Sequence, residues 1–375
     1  MTQEMNLNAT ITTIYCVAIV FPMMKKPLLV KTYRYTPDKT DPVIVDKFMQ
    51  YLMRRIKKLN PNDPPQSLDV LRANVLEQHP HRQNIRIIAY APELDIVVGS
   101  AQVAYETELS PSYEQNKHTC YAGAAVEEEH RNRGVAKALL KEVVKILKEL
   151  GKPVIYSDVG EESGHEMIKK LGFAEIAMES AENRLYLKNV DWDRMNQWVK
   201  EGPKRSPTTK MTSFIEVPDD LLERFTKFHT TAMNTIPKEG MELEGIFTPE
   251  SRRIEEEKYH KMGSIWRTLM TVEEDGEISG LTELIYNEKE PHYALQELTA
   301  VLPKYRGRGL GKWLKASMLL YMHETYPAIE YIITGNADVN APMLAINEKM
   351  GYRRYRGVIV YKFKPEDLVK KFLTD

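Results

Sequence analysis

Residues 126–173 and 301–352 of this 375-residue chain follow one pattern. The first segment reads VEEEHRNRGVAKALLKEVVKILKELGKPVIYSDVGEESGHEMIKKLGF, and the second VLPKYRGRGLGKWLKASMLLYMHETYPAIEYIITGNADVNAPMLAINEKMGY. Each opens on an apolar strand, turns at Arg-x-x-Gly-x-small, and runs through an amphipathic helix, a second strand and another helix to a Gly-aromatic pair. Arg131 and Arg306 lie 175 residues apart and Gly172 and Gly351 lie 179 apart, so the copies differ by four inserted residues between shared landmarks. The same element order at near-equal spacing marks a duplicated unit and restricts the chain to folds built from two like halves. The division it predicts is an extension over residues 1–24, a first unit over 25–190, a linker over 191–211 and a second unit over 212–375.

The residues ahead of each repeated segment agree. In the first half, residues 28–35 read as a strand, and Val45, Phe48, Met49, Leu52 and Ile56 space a helix over 43–59. Ser67 suits the cap of a helix ending near Glu77, and the β-branched runs 85–91 and 96–105 read as strands before 121–126. In the second half, 212–217 is a strand, and 221–233 and 251–262 are helices. Residues 266–273 and 278–286 then form a hairpin over Glu274-Asp275-Gly276, ahead of strand 295–301. Gly202, Pro203, Ser206 and Pro207 among charges predict an exposed linker between the halves.

Composition narrows the function classes. Lys+Arg 52 against Asp+Glu 53 leaves a net charge of -1, which argues against a dedicated nucleic-acid binder. Cys16 and Cys120 are too few for a disulfide framework, and the histidines show no metal-ligand spacing, so no metal is expected and a reducing cytoplasm is. The apolar stretch 11–21 is short of the roughly 20 residues that span a bilayer. The basic pair Lys25 and Lys26 follows it, the wrong order for a secretory signal, so it reads as an extra strand or an extension, with no membrane association.

Arg306-Gly307-Arg308-Gly309-Leu310-Gly311 lies between a strand and a helix. Glycines let backbone approach an anion, and a helix start offers unpaired N–H groups and the positive end of a dipole. With Arg306, Arg308 and Lys312 beside them, these residues make a pyrophosphate cradle. Arg131, Asn132, Arg133, Gly134, Val135, Ala136 and Lys137 repeat the design. No Gly-x-x-x-x-Gly-Lys-Ser/Thr is present, and the spacing is not that of a dinucleotide fold.

Arg131-x-x-Gly134-x-Ala136 and Arg306-x-x-Gly309-x-Gly311 resemble the acyl-CoA signature of the GNAT superfamily of N-acetyltransferases. Leu171-Gly172-Phe173 and Met350-Gly351-Tyr352 match its second landmark, and the run from Asn336 through Asn340, Met343 and Asn347 to Tyr352 makes the carboxyl-terminal copy the closer match. The resemblance implies an α/β (α+β) protein of two GNAT-type domains, each a mixed, mostly antiparallel twisted sheet flanked by helices. The expected order is strand, two helices, three strands, motif helix, strand, helix, two strands.

It also implies acetyl transfer from acetyl-CoA, possible at one site per domain, to a primary amine of a small molecule or peptide, by a monomer or homodimer. Backbone groups at Ala300, Val301 and Leu302, and at Ala125, Val126 and Glu127, would hold pantetheine between parted strands, with Asn340 beside it. Glu297, on the strand entering the motif, is the leading base, followed by Glu283. The family often places a tyrosine acid four residues before the Gly-aromatic pair, but Ile168 and Asn347 stand there. Asn347 could hydrogen-bond the cofactor without donating a proton, and Tyr293 or Tyr352 could substitute as acid. Glu161 replaces Asn340 in the first copy, which favours the carboxyl-terminal copy as catalytic. The alternative class is a non-catalytic acyl-CoA-binding or regulatory protein.

Overall fold

The computed structural model describes residues 25–36 and 39–373, so the apolar stretch 11–21 lies outside the described residues. The amino-terminal half contains β1 (Lys31–Arg34), α1 (Pro42–Leu59), α2 (Leu68–Leu76), β2 (Arg82–Ala91), β3 (Ile96–Glu106), the single turn α3 (Tyr113–Asn116), β4 (Thr119–Val126), α4 (Val135–Leu150), β5 (Val154–Val159), α5 (Glu162–Leu171) and β6 (Glu175–Tyr186). Helix α6 (Trp192–Arg205) leads into β7 (Lys210–Phe214), α7 (Asp219–Asn234), α8 (Pro249–Lys261), β8 (Ser264–Val272), β9 (Ile278–Asn287), β10 (Tyr293–Val301), α9 (Leu310–Thr325), β11 (Tyr331–Ala337), α10 (Ala341–Met350), β12 (Arg353–Phe363) and α11 (Pro365–Leu373).

Local chemistry accounts for most boundaries. Asp41 and Ser67 accept from the second and third backbone amides of α1 and α2, and Pro42 supplies a preset φ at the first position of α1. Gly172 and Gly351, the landmark glycines, are left-handed stops of α5 and α10, at φ 79° and 108°.

Among the described residues, twelve strands form one mixed, mostly antiparallel sheet in the order β1-β2-β3-β4-β5-β12-β6-β11-β10-β9-β8-β7. Only β4·β5 and β10·β11 are parallel. The family order gives each copy two strands after its last helix, but each copy here contributes one. After β6 the chain turns through Leu187–Asn189 into α6 instead of doubling back as a hairpin. The open edge of β5 is therefore covered by β12 from the other half, and β6 lies against β11. An unpaired edge exposes a row of backbone donors and acceptors, so each copy is closed by the other.

The helices that follow the exchanged strands cross over with them. Tyr361, Phe363 and Leu368 from the end of the chain join Leu139, Val143 and Leu147 of α4 in the amino-terminal core. Leu185, Leu187 and Met195 join Leu314, Met318 and Met322 of α9 in the other. Each such side chain contributes roughly 2 kcal/mol by leaving water.

The stretch expected as an exposed linker is thus largely the packed helix α6. Gly202 is a packing residue: a Cβ there would come within 2.2 Å of the Trp313 ring on α9. Pro203 lies inside the same helix.

Candidate active site

Strands β10 and β11 pair only at Tyr293↔Tyr331, Ala294↔Ile332 and Leu295↔Ile333, after which they part. Strands β4 and β5 part in the same way after Tyr121↔Tyr156, so the splay belongs to both copies, but β10 alone carries an irregularity on its opposite edge. Gln296 pairs Leu284, but the next partnership is Thr299 with Thr282, so Glu297 and Leu298 face one residue of β9. Such a bulge bends a strand and raises its twist. Residues 296–301 are left bordering a cleft whose floor is the start of α9.

That helix has no side-chain cap, so its first N–H groups face the loop unpaired. Gly307 and Gly309 hold φ of 81° and 86°, values that cost a side-chain-bearing residue about 1 kcal/mol or more. Leu310 is buried beneath the loop, and Gly311 faces Ile346 of α10, where a Cβ would stand 3.4 Å from it.

The basic residues divide. Arg306 is exposed and steadied by its Nε–H bond to the Val301 carbonyl at 3.0 Å. Lys312 lies 5.4 Å from the Trp198 ring centre. Arg308 turns away: it pairs with Glu273 at 3.0 Å and donates to Ser206 and Thr209, anchoring the chain that enters β7. In its place stands a residue the motif does not contain. Arg205, at the end of α6, donates to the Gly307 carbonyl at 3.2 Å, and its guanidinium lies 3.2 Å from where a Gly309 Cβ would be.

Glu297 sits on the bulge with its carboxylate free of hydrogen bonds and ion pairs to the described residues. Its side chain reaches solvent along the cleft, yet the packed protein around it, and then the charges of Glu283 and Glu255, raise its carboxyl above the ordinary value. That direction suits a proton acceptor.

Glu283 is the opposite case. Burial alone would raise it, but Arg252 Nη1 at 2.8 Å and His229 Nε2 at 3.1 Å hold it at about 2, and Thr268 Oγ1 donates to it at 3.1 Å. Its lone pairs are committed, and it serves as a structural anion.

Asn347 is buried at the back of the cleft. Its Nδ2 donates to Asn336 Oδ1 at 2.8 Å, and its own Oδ1 has no partner, so it offers an acceptor and no acid. Asn340 precedes α10 without capping it, leaving its side chain uncommitted to that helix. The two tyrosines weighed as acids are poor ones. Burial raises both phenols, and Tyr293 already donates to Glu290. Sequence reasoning missed Lys315 of α9, which is 1% exposed, 5.2 Å from the Tyr352 ring, and pushed down to about 7 by burial. Its place between Gly311 and Leu319, four residues from each on the inner helix face, was the available signal.

The amino-terminal cradle repeats the backbone. Gly134 has φ 88° before uncapped α4, and Asn132, the counterpart of Gly307, has φ 60°, a region asparagine tolerates better than most residues. Val135 is buried beneath this loop, Ala136 half-buried, and Lys137 points outward.

Its polar groups, however, are paired by neighbouring side chains. Tyr51 of α1 donates to the Ala125 carbonyl at 3.0 Å, and Arg55 of α1 pairs with Glu161 at 2.6 Å. Glu161 also holds Arg131 at 2.7 Å, Arg131 Nε bonds the Val126 carbonyl, Arg54 pairs with Glu127, and Arg133 donates to the Lys26 carbonyl. Strand β4 has neither a bulge against β3 nor an acidic residue.

Two strand-loop-helix cradles set in one mixed sheet define a duplicated acetyltransferase fold. The acetyltransferase (GNAT) family model matches residues 51–173 and again 235–352, and the chain belongs to that family. No curated protein matches the sequence. Among solved structures, a tandem GNAT protein from the clavulanic acid biosynthesis pathway superposes with a TM-score of 0.72 at 17% identity, over 90% of this chain and 99% of that one. A GCN5-related glucosamine N-acetyltransferase region of a fungal multi-domain β-N-acetylglucosaminidase gives 0.61 at 11% identity, over 90% of this chain and 38% of that one. A GCN5-related N-acetyltransferase from Sphaerobacter thermophilus gives 0.59 at 13% identity, over 90% and 96%. Among the described residues, no helix is long and apolar enough to cross a membrane.

Proposed function

We propose that the carboxyl-terminal copy transfers an acetyl group from acetyl-CoA to a primary amine, with Glu297 as the base, and that the amino-terminal copy does not bind acetyl-CoA. The observation that carries this reading is the parting of β10 from β11 at a bulge that bears an unpartnered, raised glutamate above an uncapped helix. The residues fit the group. The α9 amides, Arg306 and Arg205 would hold the pyrophosphate, while the free edge of β10 would pair with the pantetheine arm. Acetyl-CoA supplies an activated thioester. Glu297 takes the proton that the amine loses as its nitrogen forms the new bond to carbon and the carbon–sulfur bond breaks. With Asn347 unable to donate an acid proton and both tyrosines raised, the thiolate departs without a protein acid.

Calorimetry with CoA should give one site per chain. In a thiol-release assay across an amine panel, Glu297→Gln should lower kcat by about 10²–10⁴ while CoA affinity holds. Unchanged turnover would overturn the base assignment, and a chain that binds CoA but acetylates no amine would be a binding module.

A further inference from the structure

A cavity of about 210 Å³ lies between the two halves, walled by β8, α7 and α8 on one side and by the ends of β2 and β3 on the other. Nine buried side-chain polar atoms among the described residues lack a hydrogen-bond partner, and four belong to residues lining this cavity: His79 Nε2, which sits 3.0 Å from Glu255, and His229 Nδ1, Arg252 Nη2 and Trp266 Nε1. Folded proteins satisfy nearly all such atoms, so their gathering at one concavity points to a ligand that completes them.

The unpartnered set defines the chemistry. Arg252 is 3% exposed and gives its other nitrogens to Glu256 at 2.9 Å and Glu283 at 2.8 Å, so its charge is spent while Nη2 keeps its two N–H groups. Trp266 adds its indole N–H. With Nε2 of His229 turned to Glu283, its Nδ1 is left without a partner. N–H donors gathered beside an imidazole nitrogen match hydroxyl groups, which both accept and donate. The charge balance excludes an acid: Glu106, Glu244 and Glu255 line the cavity with Glu283 behind them, against Arg82 and the neutralised Arg252. Burial would raise Glu255, but His79, 3.0 Å away, and Lys258 hold it ionised. The cavity and the bulge share neighbours: Glu297 faces Glu283 of β9, which Arg252 of the cavity wall holds at 2.8 Å, and Tyr259 packs on Trp266 at 5.1 Å.

We propose that this cavity is the acceptor subsite, composed from both copies, and that it takes a small cationic amine carrying hydroxyl groups, of amino-sugar or amino-alcohol chemistry. The assignment rests on the carboxyl-terminal copy acetylating amines, and it gives the other copy a role: the amino-terminal half supplies Glu106 and one wall of the site.

The test is ligand-observed NMR titration of the full chain, with and without saturating CoA, using glucosamine, putrescine and L-aspartate as probes. Glucosamine should bind most tightly and aspartate not at all. Glu106→Gln and Glu244→Gln should each weaken glucosamine about tenfold, and Trp266→Phe should weaken glucosamine but not putrescine. Aspartate or putrescine binding more tightly than glucosamine would overturn the assignment, as would unchanged glucosamine affinity in both glutamine variants. A chain that binds glucosamine but not CoA would overturn the cofactor reading and, with it, the cavity's role as an acceptor subsite, whereas one that binds CoA but no glucosamine would overturn this assignment alone.

Discussion

Gly134 and Gly309 hold nearly the same left-handed backbone at the start of equivalent helices, beside strands that part alike, yet the polar groups around the two cradles are differently committed. The difference comes from outside the motif. In the carboxyl-terminal copy β10 carries a bulge that bears Glu297, and Arg205 arrives from α6 to add charge. In the amino-terminal copy β4 runs straight, Tyr51 caps the Ala125 carbonyl, and Glu161 spends the charge of Arg131. The motif backbone is thus the same in both copies whatever surrounds it, because the left-handed turn and uncapped helix depend on neighbours a few residues away.

The largest effect should come from separating the copies. Residues 25–206 and 207–375 expressed apart should each lack the strand that closes its sheet, and circular dichroism should show no cooperative melt until the two are expressed together. Independent cooperative melting of either half would sink the idea that the exchange holds them.

Next is Lys315, whose counterpart 175 residues earlier is Leu140. A lysine at about 7 in the fold and near 10.5 when unfolded loses its proton on folding between those values. The unfolded state then holds the extra proton, so stability should rise with pH from about 7 to 10.5 and stay at its lower level below 7. Lys315→Leu, the amino-terminal copy's residue, should abolish that rise and add on the order of 4 kcal/mol at neutral pH. Denaturant melts of both proteins across this range read it directly.

The cradles themselves can be compared by one change made twice. Gly309→Ala should weaken CoA about tenfold through left-handed strain and crowding of Arg205. Gly134→Ala should leave CoA affinity unchanged; equal losses in calorimetry would mean that both cradles bind. The smallest effect is expected from unpairing: Tyr51→Phe with Glu161→Asn frees the Ala125 carbonyl and Arg131, and calorimetry should detect a weak second CoA site. A stoichiometry still at one would place the block elsewhere, with Arg55 the next residue to remove.

Much of this was readable beforehand, because it is local. Helix stops at Gly172 and Gly351, caps at Asp41 and Ser67, and the turns at Gly134 and Gly309 depend on neighbours a few residues away. The base candidate on β10 and the Glu161 departure were legible for the same reason. The signals that misled were also local. Gly202 and Pro203 are ordinary linker residues by type, but Gly202 is required by the Trp313 ring, 111 positions along the chain. Glu283 is a free carboxylate by type and strand position, but Arg252 and His229, distant in the chain, occupy it.

The order of residues alone fixes the duplication, the two cradles and the strand or helix character of nearly every segment, since periodicity and turn chemistry act at short range. Which edge β6 and β12 cover, how each cradle's polar groups are committed, and which side chains wall the space between the copies follow from packing. A strand's pattern says which face is apolar, and any open edge of matching length can accept it. The choice belongs to the whole sheet.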